Sequence, residues 1–155
     1  MTLQNQPNIT IRQGTKNDLP AAMELIKELA VFEREPEAVT NTLENMERDG
    51  FGPNKVFDFY VASIDEVIVG ISVFYFRYST WKGRCLYLED LVVTEKHRGS
   101  GIGKLLFEQT IAFAKETKCK IMVWQVLDWN EPAIQFYERY GATFHEEWLN
   151  CIIEV

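Results

Sequence analysis

Glu95-Lys96-His97-Arg98-Gly99-Ser100-Gly101-Ile102-Gly103-Lys104 decides how this chain is read. Upstream, Leu86 to Val93 is an apolar run with the character of a strand. Downstream, Leu105, Leu106, Gln109, Ile111, Ala112 and Phe113 run through a helix that the glycines open. Glycines let the chain turn tightly and bring backbone N–H groups close to a ligand. The helix start behind them adds unsatisfied donors and the positive end of a dipole, so the loop suits a pyrophosphate. Three glycine patterns compete. The P-loop requires Gly where Arg98 stands and Ser or Thr where Leu105 stands, so it fails twice. The dinucleotide fingerprint fails at Lys104, where its last glycine belongs. Arg/Gln-x-x-Gly-x-Gly is met by Arg98, Gly101 and Gly103. A glycine-rich turn without a ligand is the alternative.

Working outward, Ile9 to Arg12 alternates as a short strand. Thr15 and Asp18 form a capping-box-like pair, Pro20 suits a first helical turn, and Leu19, Ala22, Met23, Ile26, Leu29 and Ala30 follow helical spacing. A weaker helix is expected around Thr42 to Arg48, stopped by Asp49-Gly50-Phe51-Gly52-Pro53. Phe57 to Ile64 and Val67 to Arg77 read as a hairpin turning at Asp65-Glu66. Beyond the glycine loop, Lys120 to Val126 is expected as a strand and Pro132 to Tyr140 as a short helix ended by Gly141. One or two closing strands are expected between Thr143 and Val155. No repeat or linker interrupts the chain. The order describes one α/β domain over residues 1–155, built on a mixed sheet.

At 155 residues the chain has the length of one ordinary domain. Its 46% hydrophobic and 25% charged residues are the balance of a soluble globular protein, and no run approaches a membrane span. Met1-Thr2-Leu3-Gln4-Asn5 shows no basic segment followed by an apolar one, so no secretory signal is expected. Cys85, Cys119 and Cys151 are odd in number and form no CxxC pair, which reads as reduced cytoplasmic thiols. With only His97 and His145, a metal site is not expected. The net charge of −7 argues against nucleic-acid binding. It is compatible with a cationic substrate, and equally with acidity for solubility alone.

Arg98 to Gly103 resembles the pyrophosphate loop of the GNAT (Gcn5-related) acetyltransferases. Tyr87-Leu88-Glu89-Asp90, Asp49-Gly50-Phe51-Gly52, Trp129-Asn130-Glu131-Pro132-Ala133 and Phe136-Tyr137-x-Arg139-x-Gly141-Ala142 resemble the diamine (spermidine/spermine) acetyltransferase group. Tyr78-Ser79-Thr80-Trp81-Lys82-Gly83-Arg84 and Val126-Leu127-Asp128-Trp129-Asn130 are closer to its thialysine branch. The resemblance covers Ile9 to about Trp148. It implies the GNAT fold, a central mixed and mostly antiparallel sheet flanked by helices. It also implies acetyl-CoA as co-substrate, a small-molecule amine as acceptor and a homodimer. Thialysine or a lysine-like amino acid is the first acceptor, a diamine or polyamine the alternative, and a protein or peptide amine a third. A non-catalytic acyl-CoA sensor would keep the loop but need neither Glu89 nor Tyr137.

A protonated amine, with a pKa near ~10, must lose a proton before it can attack a thioester, and a carboxylate can take it. Glu89 and Asp90 are adjacent on a strand, so alternation sends them to opposite faces. The resemblance implies that Glu89 is the base, with Asp90 a second acid near the amine. It implies that Tyr137 is the proton donor to the leaving thiolate, though a packing tyrosine would read the same way. It assigns Asn130 to the pantetheine arm, and Asn130 also stands where a helix N-cap belongs. With Leu91 and Val93 backbone groups pairing with pantetheine, the donor site would comprise Leu91, Val93, Arg98, Gly99, Ser100, Gly101, Ile102, Gly103, Lys104, Asn130 and Tyr137. Acceptor candidates are Glu33, Trp81, Glu89, Asp90 and Asp128, with Trp81 offering a cation–π surface. Ser79 departs from the polyamine branch, which carries an acid there. No Cys or Ser sits in an evident nucleophile context, so direct transfer is expected. His97, His145, Trp124 and the cysteines read as structural.

Overall fold

The structure is a computed structural model that describes residues 7–155; the Met1–Asn5 leader reading lies outside the described residues. The described chain parses into two compact units, one reaching to Trp124 and one from Gln125 to Val155.

The first unit is built on a five-stranded sheet in the order β1-β2-β3-β4-β5. The strands are β1 (Ile9–Gln13), β2 (Asp58–Ile64), β3 (Val67–Ser79), β4 (Gly83–Val93) and β5 (Ile121–Val123). The first four are antiparallel neighbours and β5 runs parallel to β4. Asp65 and Glu66 both adopt positive φ, which gives the β2–β3 hairpin the turn twist that a two-residue loop demands. Helices α1 (Leu19–Phe32) and α2 (Leu43–Phe51) cover one face, where Leu19, Met23 and Met46 pack on Phe59, Val61 and Ile71. Helix α3 (Ile102–Glu116) covers the other, with Ile102 and Leu106 on Ala62 and Val69. Alternation along each strand feeds both cores, as a sheet covered on both faces requires. A buried hydroxyl pair, Thr110 and Ser72 at 2.9 Å, ties α3 to β3, while Thr110 donates to the Leu106 carbonyl.

The capping pair ahead of α1 is real and is reinforced. The Asp18 carboxylate accepts from the Thr15 N–H (2.7 Å) and hydroxyl (2.9 Å), and Arg12 forks onto it at 2.6 and 2.9 Å. Chiefly because of the Arg12 hydrogen bonds, the Asp18 pKa is lowered to about 2.

Two expectations are corrected here. The Asp49–Pro53 stop falls later than expected, because α2 continues through Gly50 to Phe51. Gly50 is there for space: a Cβ would lie 2.7 Å from the Phe57 ring. The strand expected over Lys120 to Val126 is confined to Ile121–Val123.

The second unit carries α4 (Glu131–Glu138), started by Asn130 and Pro132, with Gly141 at φ +74° just beyond it. No strand forms between Thr143 and Val155, contrary to expectation. An apolar run cannot become a strand without a ladder to satisfy its backbone, and this unit offers no second strand. No helix among the described residues is long and apolar enough to cross a membrane.

Candidate active site

The pairing of β3 with β4 determines where the acids go. Phe74 pairs with Leu88 and Val73 with Asp90, so Glu89 is left over as the extra residue of a β-bulge. The bulge cancels the alternation that would have separated the two carboxylates. Glu89 and Asp90 border the same cavity, of about 390 Å³, on the α1/α2 side of the sheet. This corrects the expectation that adjacent strand positions must face opposite ways. The cavity's apolar walls come from Met23, Ile26, Met46, Phe57 and Val73, and Tyr75 joins the acids at its polar end.

The electrostatics of this end follow from crowding like charges beside apolar walls. Burial, then the negative charges of Glu89 and Glu33, raise the Asp90 pKa to about 7. Burial also raises Glu33, at the C-terminal end of α1. The Tyr75 hydroxyl donates to Glu89 Oε2 at 2.9 Å, and its ring stacks on Tyr87 with centroids 5.3 Å apart. Burial, followed by this hydrogen bond, holds the Tyr75 phenol well above the ordinary tyrosine range. Tyr75 therefore stays a donor and fixes the Glu89 carboxylate. Arg77, the next residue on the same face of β3, lies over the Tyr87 ring at 5.7 Å.

The glycine loop lies beyond the C-terminal end of β4. Gly99 and Gly101 have φ of +79° and +84°, and Gly101 is the N-cap of α3. A side chain would strain both turns, so glycine is needed here for conformation. The exposed Ser100 hydroxyl donates to the His97 carbonyl and tightens the turn. Arg98 points back into the protein: Nε donates to the Val93 carbonyl at 3.0 Å, and the guanidinium covers Phe32 at 5.2 Å. Glu28 of α1 completes the anchor. One of its oxygens accepts from the Thr94 hydroxyl (3.1 Å) and the Glu95 N–H (2.9 Å) and lies 3.8 Å from Arg98 Nη2. The loop's backbone is thereby held over the α3 N-terminus, a cradle suited to a pyrophosphate.

Leu91 and Val93 lie in the β4 segment beyond the parallel ladder with β5, which pairs only Cys85–Tyr87 with Ile121–Val123. The ladder ends just before the bulge, which bends and twists its strand. Ile102 is buried in the α3 core, while Gly103 and Lys104 continue the first turn of that helix. Trp81 stands at the tip of the β3–β4 hairpin, 85% exposed and outside the cavity lining. Ser79 has a local use: its hydroxyl accepts from the N–H groups of Trp81 and Lys82 at that turn. Asp128, Asn130 and Tyr137 belong to the second unit, where Asn130 caps α4 by accepting from the Ala133 N–H at 3.4 Å. Sequence reasoning missed Tyr75 and Glu28. For Tyr75 the signal was its β3 position on the same face as Val73; for Glu28 there was none beyond its i, i+4 spacing to Phe32.

Residues 19–142 match the Acetyltransferase (GNAT) family. The chain belongs to the GNAT acetyltransferase family. It is an N-acetyltransferase, and members of this family use acetyl-CoA. Among its relatives is the thialysine N-epsilon-acetyltransferase of Mus musculus, 37% identical over 93% of this chain and 91% of that protein. The spermidine/spermine N(1)-acetyltransferase-like protein 1 of Homo sapiens is 36% identical over 85% of this chain and 20% of that protein. The GNAT fold is shared with an aminoglycoside N-acetyltransferase solved in complex with CoA, at TM-score 0.78 and 18% identity, covering 99% of both chains.

Proposed function

We propose that this acetyltransferase moves an acetyl group from acetyl-CoA to the primary amine of a small cationic molecule. Thialysine or a lysine-like amino acid is the preferred acceptor. The observation that carries the reading is the β4 bulge, which gathers Glu89 and Asp90 at one end of a cavity, with the negative charge of Glu33 acting on Asp90. An acid cluster of this kind attracts an ammonium and can then accept its proton. Acetyl-CoA supplies the activated acyl group and a thiolate leaving group.

In this reading the backbone of Arg98–Lys104 and the α3 N-terminus hold the pyrophosphate, with Leu91, Val93 and Asn130 along the pantetheine arm. Glu89, oriented by Tyr75, takes the proton of the bound amine directly or through water. Asp90 stands beside Glu89, its carboxyl pushed up to about 7 by burial and by the neighbouring negative charges. The unprotonated amine attacks the thioester carbonyl, and a backbone N–H polarises the carbonyl oxygen. Tyr137 returns a proton to the departing sulfur. Glu33 and Asp128 add negative charge for the rest of the acceptor. Trp81 would reach an acceptor only from the hairpin tip. The family resemblance further supports a single-domain homodimer in the cytoplasm.

The experiment is to mix the protein with acetyl-CoA and follow thiol release across a panel of amines. Acceleration by a small amine supports the transferase reading. Binding of acetyl-CoA with no acceleration by any amine would leave a non-catalytic acyl-CoA sensor.

A further inference from the structure

We infer that Arg77 is the specificity-determining residue of the acceptor site: it receives the carboxylate of an amino-acid substrate whose distal amine is acetylated. The inference rests on the transferase reading of the cavity bordered by Glu89 and Asp90.

Val73, Tyr75 and Arg77 succeed one another on the same face of β3. Val73 and Tyr75 line the cavity, and Tyr75 marks its acidic end through Glu89. Arg77, just outside the cavity lining, is one strand repeat beyond Tyr75, roughly 7 Å along the strand, and two repeats beyond Val73, which pairs with Asp90. A lysine-like acceptor separates its distal nitrogen from its carboxylate carbon by six bonds, also about 7 Å in a staggered chain. An ammonium placed at Glu89, beside Tyr75, brings the carboxylate to Arg77.

The charge pattern points the same way. Arg77 has no ion-pair partner among the described residues. Its guanidinium is laid over Tyr87, and Tyr87 is stacked on Tyr75, so its fork is placed without being used. Arginine on an aromatic face with free donors suits bidentate capture of a carboxylate. The same charge repels the second ammonium of a diamine at that distance. A site with acids at one end and an unpaired arginine at the other selects an amino acid over its decarboxylated counterpart.

The test compares lysine and thialysine with 1,5-diaminopentane, which keeps the distal amine and lacks the carboxylate. In Arg77→Gln the KM for lysine and thialysine should rise about tenfold, the scale of one charged hydrogen-bonded contact. The KM for 1,5-diaminopentane should hold steady or fall, and the KM for acetyl-CoA should not move. Arg77→Lys, which keeps the charge but loses the fork, should recover part of the loss. Parallel changes for lysine and the diamine, or no change for either, would overturn the assignment. If no amine accelerates CoA release even in the wild type, the transferase reading itself fails, which is a separate and distinguishable result.

Discussion

Removing the Glu28 carboxylate should loosen the donor loop and spare the acceptor pocket. Glu28 Oε1 accepts from the Thr94 hydroxyl and the Glu95 N–H, and stands near the guanidinium of Arg98. The side chain is 33% exposed, so each hydrogen bond is discounted from the charged-acceptor range to that of an ordinary one, about 1 kcal/mol. The Arg98 contact, at 3.8 Å and part-exposed, adds little. Glu28→Ala thus removes about 2 kcal/mol from the loop, which as a pure loss of donor binding is roughly a 30-fold rise in the KM for acetyl-CoA. Glu28→Gln keeps the accepting oxygen and should cost only a few-fold. Steady-state kinetics with each substrate varied in turn, alongside a thermal melt, separate the effects. Equal rises in the KM for acetyl-CoA and for the amine would refute the reasoning, as would a lowered Tm with an unchanged KM for acetyl-CoA.

Asp90 keeps its proton up to about pH 7 when folded but loses it near ~4 when unfolded. The folded state therefore binds more protons in that window, and this group's contribution to stability declines as pH rises through it. Asp90→Asn should raise Tm at pH 8 relative to wild type and leave it unchanged near pH 4; an equal shift at both would disprove the burial argument. Asp18 has the opposite sign: its stabilisation is present above pH ~4 and lost toward about pH 2. Asp18→Asn should cost about 1–2 kcal/mol at pH 7, a fall of several degrees in Tm that shrinks in acid. Tyr75→Phe removes the donor that orients Glu89, so kcat should fall about tenfold with the KM for acetyl-CoA unchanged; undiminished turnover would mean that this hydrogen bond plays no part in catalysis. Tyr137→Phe should lower kcat by about 100-fold with little change in either KM, and undiminished turnover would remove Tyr137 from the proton-donor role.

Much of the frame was legible because it is local. Leu19 to Ala30 had helical spacing, and Asp65-Glu66 sat between two apolar runs, so α1 and the β2–β3 hairpin could be placed from neighbours in sequence. The glycine loop was legible for the same reason, since the φ of Gly99 and Gly101 depends on residues within one turn. What could not be read were pairings across the sheet. Thr143 to Val155 has strand-like composition and no ladder. Tyr75 and Glu89, 14 positions apart, meet only because β3 and β4 turn back on each other.

The stretch from Glu95 to Lys104 determined, by itself, that a strand passes through a tight loop into a helix start fit for a phosphate group. Tertiary structure alone decided what that loop leans on and what it serves. Glu28 and Phe32 reach it from a helix more than sixty residues earlier in the chain. The one-residue slip between β3 and β4 turns Glu89 and Asp90 toward a single cavity. A carboxylate's identity is written in sequence, but its direction depends on strand register, and register is a property of the pair.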